Sequence, residues 1–339
     1  MNLGSPDATS VKDVRKYLNE FLMDERVIDL PFIARALLVR GIIVPFRAPK
    51  SAEAYRSIWT NEGSPLIVLT KQLQASLQQI VHIPVSIAMR YGNPSPQQAY
   101  DALLQHNPGL KEIIVLPLYP HYAMSSYETA VIFAKEQYAL KNYPFQLCFI
   151  KPFYQDALYI DALAQSMQAY LRSEFDHLLF SYHGIPERHI RKSDTTGSHC
   201  LKINDCCNTA SKAQDTCYRH QVFATTKLVA EKLQLPANKY SISFQSRLGK
   251  GWLQPFTDIR LEQMPGEGIK KILVVCPAFT SDCLETLEEI AERGKETFLH
   301  AGGESFEMIP CLNTFPAWVN AIQQWLTDYR NGNNKMMME

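Results

Sequence analysis

The chain has 339 residues, with 34 lysines and arginines balanced by 34 aspartates and glutamates. That length accommodates two domains of ordinary size, and the even charge excludes a global basic field for nucleic acid or an anionic membrane. No charged-then-apolar leader opens the sequence, so the protein reads as cytosolic, and its eight cysteines stay reduced unless they hold a metal.

The longest apolar stretch, Leu30 to Phe46, is interrupted by Arg35 and Arg40. It is no spanning helix and reads either as a lip over a site or as a buried helix. Beyond it, short runs rich in β-branched residues alternate with stretches of helical period. Strands are expected at Pro84–Met89, Glu112–Leu118, Phe145–Ile150, His177–Tyr182, Tyr240–Phe244, Lys271–Val275 and Phe306–Ile309. The clearest helices are Pro94–His106, Ser125–Leu140, Asp156–Glu174, Asp215–Leu233, Leu284–Leu299 and Pro316–Tyr329. This alternation predicts a doubly wound α/β protein with parallel sheets flanked by helices. Two Rossmann-like lobes are expected, 1–152 and 153–315, with the helix 316–330 packing back onto the first lobe. The tail Asn331–Glu339 offers nothing to bury and is expected to be mobile.

Unusual polar residues sit just past the carboxyl ends of these strands: Arg90, Tyr119, His183 and Ser246. In open parallel sheets that edge is where ligands bind, because loops and helix amino termini converge there. The segment Leu179-Phe-Ser-Tyr-His-Gly-Ile-Pro186 holds His183 at a strand end, followed by a glycine and a proline that force a turn. Imidazole exchanges protons near neutral pH and ligates metals, although a structural histidine fits the same position. In Cys276-Pro-Ala-Phe-Thr-Ser-Asp-Cys-Leu-Glu-Thr-Leu-Glu-Glu-Ile290, Glu285 and Glu289 lie four apart. An α-helix would place both carboxylates on one face, able to hold a cation or accept protons. A solvated acidic first turn, with Asp282 as a helix cap, is the plainer alternative.

These two segments resemble the two signature regions of the ferrochelatases, which insert iron(II) into protoporphyrin. Family-like stretches recur along nearly the whole chain: Asn2-Leu-Gly-Ser-Pro6, Pro49-Lys-Ser-Ala-Glu-Ala-Tyr-Arg56, Ile58-Trp-Thr60, Glu62-Gly-Ser-Pro-Leu66, Leu116-Pro-Leu-Tyr-Pro120 and Phe244-Gln-Ser-Arg247. The resemblance implies two Rossmann-like lobes with the active-site cleft between them. It implies catalysis by His183 and Glu285, with His183, Glu285 and Glu289 meeting the iron. Arg47, Lys50 and Ser246 correspond to residues that meet the propionates. Leu3, Tyr55, Arg90, Tyr119 and Trp252 correspond to the macrocycle pocket, which suits a large flat ring that wants aromatic and aliphatic walls. The partners implied are protoporphyrin IX and Fe(II), with peripheral membrane contact through the Leu30–Phe46 region. Rival readings are a chelatase for coproporphyrin or for cobalt and sirohydrochlorin, and a non-catalytic tetrapyrrole or metal carrier, since fold alone does not fix substrate.

The sequence departs from the family in two places. The apolar residues that usually precede the Asn-Leu-Gly turn do not appear before Met1. After His189 an insert, 189–217, brings Cys200, Cys206, Cys207 and Cys217 within eighteen residues. Some ferrochelatases carry a [2Fe–2S] cluster on such an insert, so the resemblance implies one here. Zinc is the competing ligand, and His199 and His220 flank the set as substitute ligands. Cys148, Cys276, Cys283 and Cys311 read as small structural residues.

Overall fold

The computed structural model describes residues 1–247, 249 and 251–338. The chain divides into two compact units: one formed by Met1–Leu118, Met124–Lys151 and Ile322–Glu339, the other by Tyr119–Ala123 and Pro152–Ala321. Both are α/β with parallel strands, as the alternation of periods predicts.

In the first unit, β1 (Asn2–Gly4) pairs with β2 (Met89–Tyr91), and β3 (Glu112–Val115) pairs with β4 (Gln146–Phe149), both parallel. Gly4 is required at the first pairing. Its φ is +110°, and a Cβ there would lie 1.8 Å from the Tyr91 carbonyl oxygen. The flanking helices follow their sequence signals. Val11–Leu22 is capped by the Ser10 hydroxyl, which accepts from the Asp13 amide, and it buries Val14, Tyr17, Leu18 and Leu22 at helical spacing. Pro96–His106 starts with a capping box between Ser95 and Gln98.

Two readings are corrected in this unit: the buried-helix alternative for Leu30–Phe46 and the free tail. The stretch from Leu30 is neither buried nor uniformly α-helical. It runs as Phe32–Leu38 (α), Val39–Ile43 (π) and Val44–Ile58 (α). Phe32, Ile33, Leu37, Ile42 and Phe46 are 57 to 76% exposed. Arg35 instead points inward and donates to the carbonyls of Ile28 and Leu30. The polarity is inverted relative to a surface helix of a soluble protein. The tail is also held. Met338 donates to the Phe149 carbonyl, Lys151 donates to the Met336 carbonyl, and Met336 is buried. The carboxyl end of β4 offers unpaired backbone groups, and the methionines supply apolar surface the polar Asn-rich stretch lacks.

The second unit is built on a parallel sheet of order β6-β5-β7-β8, with β5 (His177–His183), β6 (Tyr240–Gln245), β7 (Lys271–Val275) and β8 (Ser305–Met308). His177 to Tyr182 are all buried, the continuous pattern of a strand covered on both faces. Leu179 and Val274 pack with Leu261, Ile290, Phe298 and Phe306 on one side of this sheet. The helix Ala157–Met167, capped by Asp156 through the amides of Leu158 and Tyr159, and the helix Tyr218–Lys232 pack against each other. The helix Pro316–Arg330 begins in this unit and ends in the first.

Candidate functional site

His183 is the last residue of β5, so its ring emerges where the ladder stops. Its carbonyl accepts from the Tyr218 hydroxyl at 2.9 Å, and its ring meets Phe279 edge-on with centroids 6.2 Å apart. Gly184 allows the close approach that follows. Its amide donates to the Gln245 carbonyl at 2.7 Å, and a Cβ would sit 2.7 Å from that same oxygen. A Trp252 ring carbon lies 3.5 Å from that position, and Pro186 and Trp252 bridge antiparallel. Trp252 is thereby fixed beside the His183–Gly184 turn.

Glu289 faces the same place. Its carboxylate accepts from the Ser246 amide at 2.7 Å and from the Ser246 hydroxyl at 2.5 Å. Burial raises its pKa above the usual carboxylate range. The Ser246 hydroxyl, the nearby His183 and the Ser246 amide pull it down, and the negative charge of Glu285 pushes it up, with a net rise. Ser246 reaches Glu289 by adopting φ +64°, a left-handed backbone that costs a non-glycine residue on the order of 1 kcal/mol or more. Glu285 is anchored through its backbone, whose carbonyl accepts from Gln245 Nε2 at 2.8 Å. Gln245 is itself fixed, its Oε1 accepting from the Ser181 hydroxyl and the Cys276 thiol.

The helix carrying both glutamates departs from expectation. Leu284–Thr286 is α, Leu287–Gly294 is π and Lys295–His300 is α again. The wider i→i+5 turn rotates Glu289 away from the position an α period would give it above Glu285. Asp282 is not the cap, which is Cys283. Asp282 instead accepts from Asn313 Nδ2, the Thr286 hydroxyl and the Cys311 amide, bracing the loop before the helix.

Tyr119, 8% exposed, belongs to the same unit. Two residues on, buried His121 bonds the Thr225 hydroxyl and packs edge-on against Tyr182 and Tyr218. Burial holds its pKa down to about 3, so it is a neutral structural imidazole.

Leu3, Arg47, Lys50, Tyr55 and Arg90 lie in the first unit. Arg47 and Lys50 are exposed and three apart on the helix Val44–Ile58, a shared face for an anion. Leu3 is half-buried in β1, and Tyr55 is buried against Tyr17 and Trp59. Arg90 is already engaged. It donates to Asp24 at 2.5 Å and to Thr129 at 2.6 Å, with its guanidinium 4.2 Å from the Tyr91 ring centroid and 4.3 Å from that of Phe133. Asp24 also accepts from the Thr129 and Tyr91 hydroxyls. Burial opposes its ionisation, yet the Thr129 and Arg26 hydrogen bonds, the Arg90 charge and the Tyr91 hydroxyl hold its pKa below the usual carboxylate range.

The cysteine insert is organised by Asp194. Its carboxylate accepts from the amides of Thr196, Gly197, His199 and Cys200 and from the Thr196 hydroxyl, contacts that outweigh burial and depress its pKa strongly. Cys200, Cys206, Cys207 and Cys217 are all buried. Cys217 is hydrogen-bonded by the thiols of Cys207 and Cys200. With the Cys207 contact foremost, these lower its pKa against burial, while the pKa values of Cys200 and Cys207 are raised. Arg219 points at the sulfurs of Cys206 and Cys207, and the Leu201 amide donates to Cys206. His199 and His220 bond the carbonyls of Cys206 and Cys207. Among the described residues, no group of three or more His, Cys, Asp and Glu side chains is placed to hold a metal ion. The arrangement is a set of buried, mutually hydrogen-bonded thiols.

Residues 1–329 match the Ferrochelatase family. A ferrochelatase of Opitutus terrae is 51% identical over 334 residues, covering 96% of each chain. That of Pseudomonas entomophila is 49% identical over 95% of this chain and 96% of its own. The chain belongs to the ferrochelatase family. Members are lyases that insert Fe(II) into protoporphyrin, in haem synthesis. Two structures of SirB from Bacillus subtilis share the fold. The one with Fe3+ aligns with TM-score 0.53 at 13% identity, covering 80% of this chain and 92% of its own. The sirohydrochlorin chelatase SirB of subspecies spizizenii, in complex with cobalt, aligns with TM-score 0.54 at 12% identity, covering 83% and 96%.

Within a ferrochelatase frame, His183, Glu285, Glu289, Ser246 and Trp252 are gathered in one unit. Sequence reasoning missed Asp24, which lies in no motif, and Gln245, which sits inside a family-like stretch without an evident role. Asp194 had a local signal, the Asp-Thr-Thr-Gly turn that favours side-chain bonding to following amides.

Proposed function

We propose that His183 and Glu285 are the catalytic pair of a ferrochelatase reaction on protoporphyrin IX, with Glu289 completing the set that meets Fe(II). The observation carrying this reading is the placement of the part-buried Glu289 carboxylate, held by the Ser246 amide and hydroxyl just past the end of β6, with His183 ending the neighbouring strand in register with Gln245. A free-base porphyrin gives up two pyrrole N–H protons as iron enters, so the site needs proton acceptors close to a metal ligand. An imidazole at a strand end and a buried carboxylate with a raised pKa meet that need. A wall that prefers a puckered ring to a flat one would lower the barrier to metal entry. Leu3, Tyr55, Tyr119 and Trp252 are the proposed ring contacts. Arg47 and Lys50 are the proposed propionate partners. Ser246 would reach a propionate only by loosening its hold on Glu289, and Arg90 supports its wall through Asp24.

The test is anaerobic incubation with Fe(II) and protoporphyrin IX, in parallel with coproporphyrin, following the haem spectrum for the wild type, His183→Ala and Glu285→Gln. Turnover unaffected by both substitutions would sink the assignment.

Cys200, Cys206, Cys207 and Cys217 are the proposed ligands of a [2Fe–2S] cluster. Support comes from their shared burial, the acidic Cys217 thiol and the N–H donors of Leu201 and Arg219 aimed at sulfur. Such a group would supply one-electron redox chemistry or structural bracing. Colourless protein without iron or acid-labile sulfide would exclude it. The exposed Phe32, Ile33, Leu37, Ile42 and Phe46 are proposed to rest on a bilayer, where an apolar substrate and product would partition. No helix among the described residues is long and apolar enough to span a membrane.

A further inference from the structure

One face of the sheet in the second unit changes from apolar to polar towards the carboxyl ends of its strands. The register pairs Ser181 of β5 with Ser243 of β6, and His183 with Gln245. Alternation puts these four side chains on one face, the face on which Leu179 joins Leu261 and Ile290 in the core. Ser181, Ser243 and Gln245 are buried there. Buried polar groups are costly unless matched, and apolar residues of the same shape would fill the space without that demand.

The matching has a direction. Gln245 Nε2 donates to the Glu285 carbonyl at 2.8 Å, and a carbonyl only accepts, so the orientation of the amide is settled. Its Oε1 accepts from the Ser181 hydroxyl at 2.8 Å and from the Cys276 thiol at 3.7 Å. With the Ser181 proton committed, Thr257 donates to Ser181 at 2.9 Å, and Ser243 donates to Thr257 at 2.8 Å. The chain from Ser243 through Thr257 and Ser181 to Gln245 therefore has one end point, the main chain of Glu285, and each bond polarises the next.

Gln245 also holds the strand end that bears His183. Its main chain lies in register with His183, and its carbonyl accepts from the Gly184 amide at 2.7 Å. Glu285 stands in the α-turn Leu284–Thr286, and the helix widens to π at Leu287. A donor from the sheet thus fixes the chain just before the helical period changes.

We propose that Gln245 is a positioning residue for metal insertion: its side-chain amide holds Glu285 at the spacing from His183 that the reaction needs. This deepens the assignment of His183 and Glu285 as the catalytic pair and rests on it. Gln245 acts through the two residues it holds. A misplacement of about 1 Å can cost on the order of a hundredfold in rate, so its loss should weigh on kcat and little on porphyrin binding.

The test compares Gln245→Met and Gln245→Glu with the wild type in anaerobic haem formation, reading kcat and KM across pH beside melting temperatures. Methionine keeps the length and removes the hydrogen bonds. Gln245→Met should lower kcat about tenfold to a hundredfold, with the KM for protoporphyrin IX within about threefold of wild type. A glutamate still accepts from Ser181 but donates to the Glu285 carbonyl only when protonated. Burial favours that neutral form, as do the negative charges of Asp282 and Glu289, which the neighbouring Cys276 thiol already feels, against the pull of a protonated His183. Relative to wild type, Gln245→Glu should therefore recover kcat as pH falls, whereas Gln245→Met keeps a constant deficit.

An equal, pH-independent deficit in both variants would overturn the proposal, and so would wild-type kcat with only the melting temperature lowered. If Gln245→Met does not fold, the acid recovery of Gln245→Glu decides alone. His183→Ala and Glu285→Gln are measured beside them. Full turnover in both refutes the catalytic pair itself, while damage there with intact kcat in the Gln245 variants refutes the positioning alone.

Discussion

Ser246 grips Glu289 with both its amide and its hydroxyl, at 2.7 and 2.5 Å, from a left-handed backbone conformation. The strain of that conformation persists because the clamp and the end of β6 over-determine it. The hydroxyl lowers the pKa of a carboxyl that burial raises. Ser246→Ala removes the larger of the two Ser246 contributions, so the Glu289 pKa should climb further. Glu289 is proposed to act as the carboxylate, so the acid limb of kcat/KM should move to higher pH. An unchanged limb in a pH profile of the variant would detach Glu289 from the reaction.

His183→Ala and Glu285→Gln should each lower kcat by roughly a hundred- to ten-thousand-fold, the usual worth of a positioned acid or base. Melting temperatures should stay close to wild type, because neither side chain belongs to the packed interior of β5 or β7. Calorimetry beside the haem assay separates the two effects.

Asp24→Asn should cost about 3 to 5 kcal/mol of stability by leaving Arg90 buried without its charge partner. The wild-type contribution has a definite pH window. The Asp24 pKa is depressed in the folded state, so the stabilisation is complete above the unfolded value of about 3.9 and is lost as pH falls through the folded pKa. Denaturant melts between pH 7 and pH 3 should show wild type converging on the variant towards the acid end.

On the proposed cluster ligation, Cys217→Ser should abolish iron and acid-labile sulfide in the purified protein together, since Cys217 joins the Cys200 and Cys207 thiols. Iron and sulfide retained at wild-type stoichiometry would remove Cys217 from the ligand set.

Ile33→Asp and Phe46→Asp, at positions 75 and 76% exposed, should leave folding within about 0.5 kcal/mol. Both should reduce co-sedimentation with phosphatidylcholine vesicles. Equal sedimentation of wild type and variants would refute the bilayer contact.

Periodicity alone made the α/β alternation legible, because a strand buried on both faces and an amphipathic helix leave different spacings of apolar residues. Lys271–Val275 was readable to the residue, and His183 was recognisable as a strand-end histidine followed by a turn. Motifs identified Glu285 and Glu289 but not their geometry. The π-turn at Leu287–Gly294 packs against Leu261 and Phe306, contacts distant in sequence that no local motif reports. The same limit explains Leu30–Phe46, where composition reports apolar residues but not which way they face. Only the fold turned Arg35 inward and Phe46 outward. It also decided that Arg90 is paired with Asp24, 66 residues away, and that Glu289 is held by Ser246, 43 residues away. Local sequence determines which backbone conformations are affordable, whereas the partners of a buried charge are chosen by burial itself, which exists only once the chain has closed on itself.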